Sequence, residues 1–382
     1  MKKTIFLLLG ALLMAVSTVA QPVPNLPKKL HTEGWRAGHV QGIAVDTNKG
    51  YVYLSFTTML VKVDMKGNVV GSVKGILGHL GCLDFNEEDG RVYGSLEYKN
   101  DGIGKGILKQ EGVTKQFPTG FYIAIIDVDK INRLDMDAEK DGVITSVLLK
   151  TVVDDYLAKV KTKSGNELDH RHGCSGIDGV SFGPAFDGSG KQMLTAAYGV
   201  YGDTNRADND YQVLLQYDVK DWSKYATIHS QNNLHRNGPE HPDGKYFVFT
   251  GNTTWGVQNL EYDSHSGNWF LACYPGKKPQ YANYSLFCVD GAKKAKVKPL
   301  RGVDYQKKGA QLSLAKIGKA DPQCKSVRGW HGYHKFGSYG IHALGDGYFY
   351  LTSAGRSKQG RSATLHLARF VGKDDKAFEM VE

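Results

Sequence analysis

No apolar run after residue 16 approaches the length of a membrane-crossing helix, and the run at 5–16 is itself too short for one. Sustained helical periodicity is missing too; only 152–161 reads as a short helix. None of the five cysteines, Cys82, Cys174, Cys273, Cys288 and Cys324, stands in a C-x-x-C pair, so zinc has no signature here. There is no G-x-S-x-G elbow, no H-E-x-x-H and no phosphate-binding loop. Lys and Arg are scattered among Asp and Glu, with no stripe of basic and stacking aromatic residues, so nucleic acid is not expected as a partner. The one basic run, 292–298, reads as a solvated turn and strand.

The first residues read as a secretory leader. Lys2 and Lys3 form a basic head, 5–16 an apolar centre, and Thr18-Val19-Ala20 a small-residue cleavage site. Cleavage after Ala20 predicts a periplasmic or secreted chain, with 21–382 as one folded domain and a monomer as the working state. The net charge of +9 favours acidic partners such as uronic-acid polysaccharides. Cys273 and Cys288 fall on adjacent predicted strands, where they either pair in an oxidising compartment or stay as buried thiols.

What the chain has in quantity is glycine, 46 residues, and tyrosine, 21, the mix of an all-β protein with many tight turns. The stretch from Gly38 to Phe56 sets the pattern: a polar loop, a short apolar strand, an Asn48-Lys49-Gly50 turn and a second strand. Similar units recur. Strands are predicted at 42–46, 51–56, 59–65 and 69–74; at 82–86, 91–98, 122–129 and 144–153; and at 180–183, 192–198, 211–219 and 226–230. Two further groups follow, at 259–263, 268–274, 285–290 and 296–300, and at 341–344, 348–353, 364–370 and 378–381. Four-stranded units of this size are propeller blades. Five blades are read directly, and two leftover stretches, 245–251 and 311–317, extend the range to seven.

The loops leading into the first strands hold the candidate site. Gln41, Asp178 and Gln258 share one register position, just ahead of an innermost strand. His39, His79 and His172 stand in nearby loops, with Trp255, Trp330, His331 and His342 in later blades. Arg171, Arg236 and Arg328 add guanidiniums. Such a set suits an acidic sugar: indole stacks on a ring, guanidinium grips a carboxylate, imidazole moves a proton. Plainer roles compete. A loop histidine often only satisfies backbone groups, Trp255 and Trp330 suit core plugs, Gln41 and Gln258 suit bridges between blades, and Arg171 has Asp169 nearby. Asp178 is the only acid at these positions, which argues against a two-carboxylate glycosidase. The acidic stretch from Asp135 to Gly142 lacks the glycine and glutamate of a calcium loop and reads as a turn. No cofactor is expected beyond an optional structural calcium.

A propeller of this size with the motif Gly38-His39-Val40-Gln41-Gly42 resembles the enzymes that act on the L-rhamnose-α-1,4-D-glucuronate cap of arabinogalactan and gum arabic. The resemblance implies a glycosidase or polysaccharide lyase in which one early histidine dominates the site, and His39 matches it. Arg171, Arg236 or a bound cation would then neutralise the glucuronate carboxylate. Two rivals come from other classes. One is a propeller that binds glycan or protein through the same mouth without chemistry. The other is a calcium-dependent lactonase-like enzyme, for which only Asp178, Asn259 and Asn252 are at hand.

Overall fold

A computed structural model of the chain describes residues 26–382. The leader expected at 1–20 lies outside the described residues. The protein is an all-β, five-bladed propeller. The innermost strands are Val40–Asp46, His79–Asn86, Cys174–Pro184, Thr253–Asp263 and Ile341–Gly345, one for each of blades 1 to 5. Each packs beside the next, and the last returns to the first, so the ring closes around a central channel.

Local chemistry explains why each first strand turns back on itself. In blades 1, 2 and 4 it ends in Asp46, Asn86 or Asp263. That side chain accepts backbone N–H groups of the turn, from Lys49, Glu88 and His265. Four residues on stand Gly50, Gly90 and Gly267, at φ of 72°, 68° and 70°, where a side chain would be strained. The second strand then pairs antiparallel with the first, as Ala44 does with Tyr53 and Leu83 with Gly94. Apolar residues on these strands fill the spaces between blades, including the fully buried Tyr53, Tyr122, Tyr198 and Trp269.

A strand from ahead of blade 1 closes the ring. Lys29–His31 and Phe378–Met380 pair with the same strand of blade 5, Gly360–Phe370, at Leu30↔Leu365 and Arg369↔Glu379. The first of these ties blade 5 to the chain ahead of blade 1, and the second completes blade 5 itself.

The outer edges differ from expectation. The stretch 226–230 is not the fourth strand of blade 3; Thr227–Ile228 adds to blade 2 beyond Ile144–Leu148. The leftover stretch at 245–251 takes its place, as Gly244–Phe249. Lys308–Leu312 runs parallel to it, and Lys296–Pro299, expected in blade 4, pairs there as well. The stretch 245–251 and the start of 311–317 thus thicken blade 3, and neither builds a further blade. Blade 4 has three strands, and isolated bridges, Leu286↔Trp330 and Val289↔Leu314, line its outer edge. Outer strands are half-solvated, so their patterns do not reveal the blade they join.

Two helices interrupt the pattern. The expected short helix appears as Lys150–Leu157. The other, Gly102–Gln110, has no counterpart in the sequence reading. Three glycines, at 102, 104 and 106, hide it, since glycine is a poor helix former. Asp101 starts it, accepting from the N–H groups of Ile103 and Gly104 at 3.0 and 2.9 Å. A side chain at Gly104 would collide with the carbonyl of Lys99, so the helix sits this close only with glycine there.

All five cysteines are free. Cys273 lies opposite Ser285 and Cys288 opposite Phe270, an offset of three residues that turns the two thiols to opposite faces of the sheet.

Candidate active site

Gln41, Asp178 and Gln258 have a common structural origin. Each lies in a β-bulge, where the ladder skips between Val40 and Gly42, between Ile177 and Val180, and between Val257 and Asn259. A bulge breaks strand alternation and re-aims a side chain. In blade 2 the skipped residues are Gly81 and Cys82. A side chain at Gly81 would come within 3.2 Å of Asp178 Oδ1, so the glycine leaves the space that this carboxylate fills.

These bulges rim a cavity of about 490 Å³ at one end of the channel. His39, Gln41, His79, Asp178, Trp255 and Gln258 line it, with Glu97, Lys99, Tyr274, Tyr339 and one face of the Gly102–Gln110 helix. His79 Nδ1 stands 3.5 Å from Asp178 Oδ1 and 3.7 Å from Glu97 Oε2. Lys99 Nζ lies 2.9 Å from Glu97 Oε2 and donates to the Ser175 carbonyl at 2.7 Å. Glu97 Oε1 accepts from the Ile177 N–H at 2.6 Å. Gln258 Nε2 donates to Asp178 Oδ2 at 3.0 Å and to the Trp255 carbonyl at 3.1 Å. Three blades therefore meet in one hydrogen-bonded cluster.

Electrostatics divide the roles. Burial, then the charge of Glu97, pushes the Asp178 carboxyl well above the usual range. Burial raises Glu97 also, with Lys99 opposing the shift. Burial alone would lower the ammonium of Lys99, but Glu97 and Asp101 hold it above its ordinary value. Burial and Lys99 press His79 down to about 3. The cluster thus favours a proton on Asp178, a neutral imidazole at His79 and a charged Lys99. His39 is exposed at the rim, and partial burial and Arg361 lower its imidazole.

His79, Glu97 and Asp178 bring ligand atoms within 4.8 Å of one another, close enough to share a metal. Lys99 already supplies a positive charge to that group. Of the residues a lactonase would use, Asn259 Nδ2 donates to the Gln41 carbonyl, and Asn252 Oδ1 accepts from the Lys277 N–H. In the acidic turn, Asp137 and Asp141 accept backbone N–H groups of the turn itself.

No family model matches the chain. No curated protein matches it either. Among solved structures it is similar to a GH43 β-1,3-galactosidase bound to galactodeoxynojirimycin, at 11% identity over 91% of this chain and 96% of that one, TM-score 0.39. It is also similar to the soluble aldose sugar dehydrogenase of Escherichia coli, at 9% over 87% and 98%, TM-score 0.34. A third is the Dos1 propeller, at 10% over 90% and 81%, TM-score 0.28. Identities this low carry no reaction across to this chain.

The other expected contacts lie elsewhere. His172 is fully buried against Phe247 and Tyr305 and does not line the mouth. Arg171 pairs with Asp155 at 3.0 Å, not with Asp169. Arg236 donates to the Thr119 carbonyl. Trp330 is a core plug whose Nε1 donates to the Lys373 carbonyl. His331 rests on Tyr284 beside a different groove. His342 sits deeper in the channel, facing Asp84 and Glu261. Trp255, by contrast, is exposed at the mouth and held at φ 64°, a conformation that an ordinary side chain avoids.

Glu97 and Lys99 escaped the sequence reading because they come from a second strand, not from a loop ahead of a first. Their signal was the alternation Glu97, Lys99, Asp101 at the end of an otherwise apolar strand, which puts charges on one face. With Glu97 present, the argument against two carboxylates does not hold.

Positive charge collects outside the mouth. A groove of about 620 Å³ is lined by Lys296, Lys298, Arg301, Lys316, Lys325 and Arg328 among others, with no acid in its lining.

Proposed function

We propose that the protein is a secreted carbohydrate-active enzyme that cleaves a glycosidic bond at the channel mouth by general acid–base catalysis. The observation that carries this reading is the placing of His79 between the carboxyls of Glu97 and Asp178, at 3.7 and 3.5 Å, in the wall of an open cavity. Paired carboxyls in unlike environments are the equipment of glycoside cleavage.

Asp178 is the acid. Its proton passes to the glycosidic oxygen as the bond to the anomeric carbon breaks. Water adds to that carbon, and the proton it loses goes to His39, which is neutral and open to solvent. Glu97 and His79 act through Asp178, keeping it protonated and oriented. Trp255 offers an indole face to a sugar ring, and Gln41 and Gln258 supply amide contacts. An acid paired with a base for water suits hydrolysis; elimination would instead need a base at C5 and a neutralised uronate.

The substrate is a polymer with acidic residues, because the basic groove gives a polyanion somewhere to rest. The rhamnose–glucuronate cap itself is not part of the proposal: Arg171 and Arg236, expected on its carboxylate, are engaged elsewhere. The test is incubation of the wild type and Asp178→Asn with a panel of neutral and uronate-containing glycans, followed by chromatography of released sugars and absorbance of unsaturated uronate. Release of saturated sugar by the wild type alone supports the proposal. Binding without any cleavage would leave a glycan-binding propeller in its place.

A further inference from the structure

Below the mouth, the same channel carries a second cluster that the proposed reaction does not use. Asp84 comes from the first strand of blade 2, Glu261 from that of blade 4 and His342 from that of blade 5. Asp84 lies five residues beyond His79 on one strand, and Glu261 three beyond Gln258 on another. At a rise of about 3.3 Å per residue, the cluster is on the order of 10 Å deeper than the mouth. His342 Nδ1 stands 3.7 Å from Glu261 Oε1 and 3.9 Å from Asp84 Oδ1, and one donor atom from each residue lies within 4.8 Å of the others.

We propose that this cluster binds a divalent transition-metal ion of the zinc or manganese class, with Asp84, Glu261 and His342 as its protein ligands.

Three features support the assignment. First, donor atoms are left over. Glu261 is 3% exposed and His342 9%, yet Glu261 Oε2 and His342 Nδ1 have no hydrogen-bond partner among the described residues. Buried polar atoms are normally satisfied, so each of these orphans needs a partner, and His342 Nδ1 stands 3.7 Å from the Glu261 carboxylate. Second, the charge is uncompensated. Neither carboxylate forms an ion pair with Lys or Arg among the described residues. The mouth cluster differs, since Lys99 stands on Glu97. Two buried carboxylates this close repel, and burial costs each its hydration. A dication would relieve both the repulsion and the desolvation.

Third, the remaining bonds aim the donors. Asp84 Oδ2 accepts from the Phe182 N–H at 2.6 Å, and Oδ1 from the Phe85 N–H at 2.8 Å. Glu261 Oε1 accepts from the Ala343 N–H at 2.7 Å, which leaves Oε2 for a ligand bond. Outer contacts of this kind hold metal ligands in place. One imidazole nitrogen with two carboxylates suits zinc or manganese, whereas calcium seeks six or more oxygens. Because the ligands come from three blades, the ion would brace the ring and add to folding stability.

The test uses the whole purified chain. Elemental mass spectrometry is done as isolated, and again after chelation with dipicolinate and return of Zn²⁺, Mn²⁺ or Ca²⁺, with thermal melts alongside. The expected result is about one equivalent of zinc or manganese per chain and a Tm that falls on chelation and recovers with that ion. Glu261→Gln and His342→Gln should lose the metal, and Asp178→Asn should keep it. Should these variants misfold, the wild-type stoichiometry and Tm response still decide. A wild type without metal whose Tm ignores zinc and manganese would overturn the proposal. So would stabilisation by calcium alone, or metal that stays in folded His342→Gln and leaves with Asp178→Asn.

Discussion

His79 Nδ1 lies 3.5 Å from Asp178 Oδ1, joining the first strand of blade 2 to that of blade 3 across the channel mouth. The contact exists because Gly81 leaves room for the carboxylate and a bulge turns Asp178 inward. Asp178→Asn should therefore lower kcat by about two to four orders of magnitude, the usual worth of a general acid, while the scaffold keeps its Tm within a few degrees. Steady-state kinetics with a cleaved glycan checks it. Full turnover in the variant would remove Asp178 from the mechanism.

The acid and base set a pH profile. Asp178 must be protonated to act, and its raised carboxyl loses the proton as pH climbs through its folded value. His39 must be neutral, and with its imidazole lowered it becomes charged only as pH falls below its ordinary value of 6.5. kcat/KM should be bell-shaped. His79→Gln should shift the basic limb, because His79 touches Asp178, and His39→Ala should remove the acidic limb. A profile left unchanged by both substitutions would contradict these roles.

Trp255 is held in a left-handed conformation at the mouth, with Tyr201 packed edge-on at 5.9 Å. Trp255→Ala removes a stacking face without touching the proton path. KM should rise by about tenfold, the effect of losing roughly 1.4 kcal/mol of ring contact, with kcat nearly unchanged. A loss confined to kcat would place the indole in the chemistry instead.

Lys99 is buried beside Glu97 and also contacts the Ser175 carbonyl. Lys99→Met leaves Glu97 without its cation and should cost about 3–5 kcal/mol of stability, as breaking a buried pair usually does. Lys99→Met combined with Glu97→Gln should recover much of it. Denaturant melts of the two variants make the comparison, and equal stability would show that the pair is not coupled.

The basic groove predicts salt-sensitive retention on polygalacturonate. Lys296→Glu with Lys298→Glu should weaken retention at low salt and leave little difference from the wild type near 1 M, where screening reduces the reach of charge to about 3 Å. Affinity electrophoresis across a salt series reads this directly. Unchanged mobility of the double variant at low salt would remove the groove from substrate binding.

The sequence alone determined the architecture at the centre of the ring. Short apolar first strands, which in blades 1, 2 and 4 end in Asp or Asn with glycine four residues on, encode their turns locally, and blades 1, 2 and 5 could be read almost strand for strand. It also gave Gln41, Asp178 and Gln258 one register position, which in the structure is a bulge within each innermost strand and not a loop ahead of it. Only the tertiary structure decided which distant side chains share a space. Glu97 and Lys99 reach the mouth from a second strand, the glycine-rich helix after Asp101 covers it, and Arg171 finds Asp155 and not a substrate. The outer strands of blades 3 and 4 were equally beyond reach, since the polar face of a half-exposed strand does not specify its neighbour. Turns are set by contacts within a few residues. The channel clusters depend on five strands closing in a ring, where burial and opposing charge are fixed by residues that in the chain lie far apart.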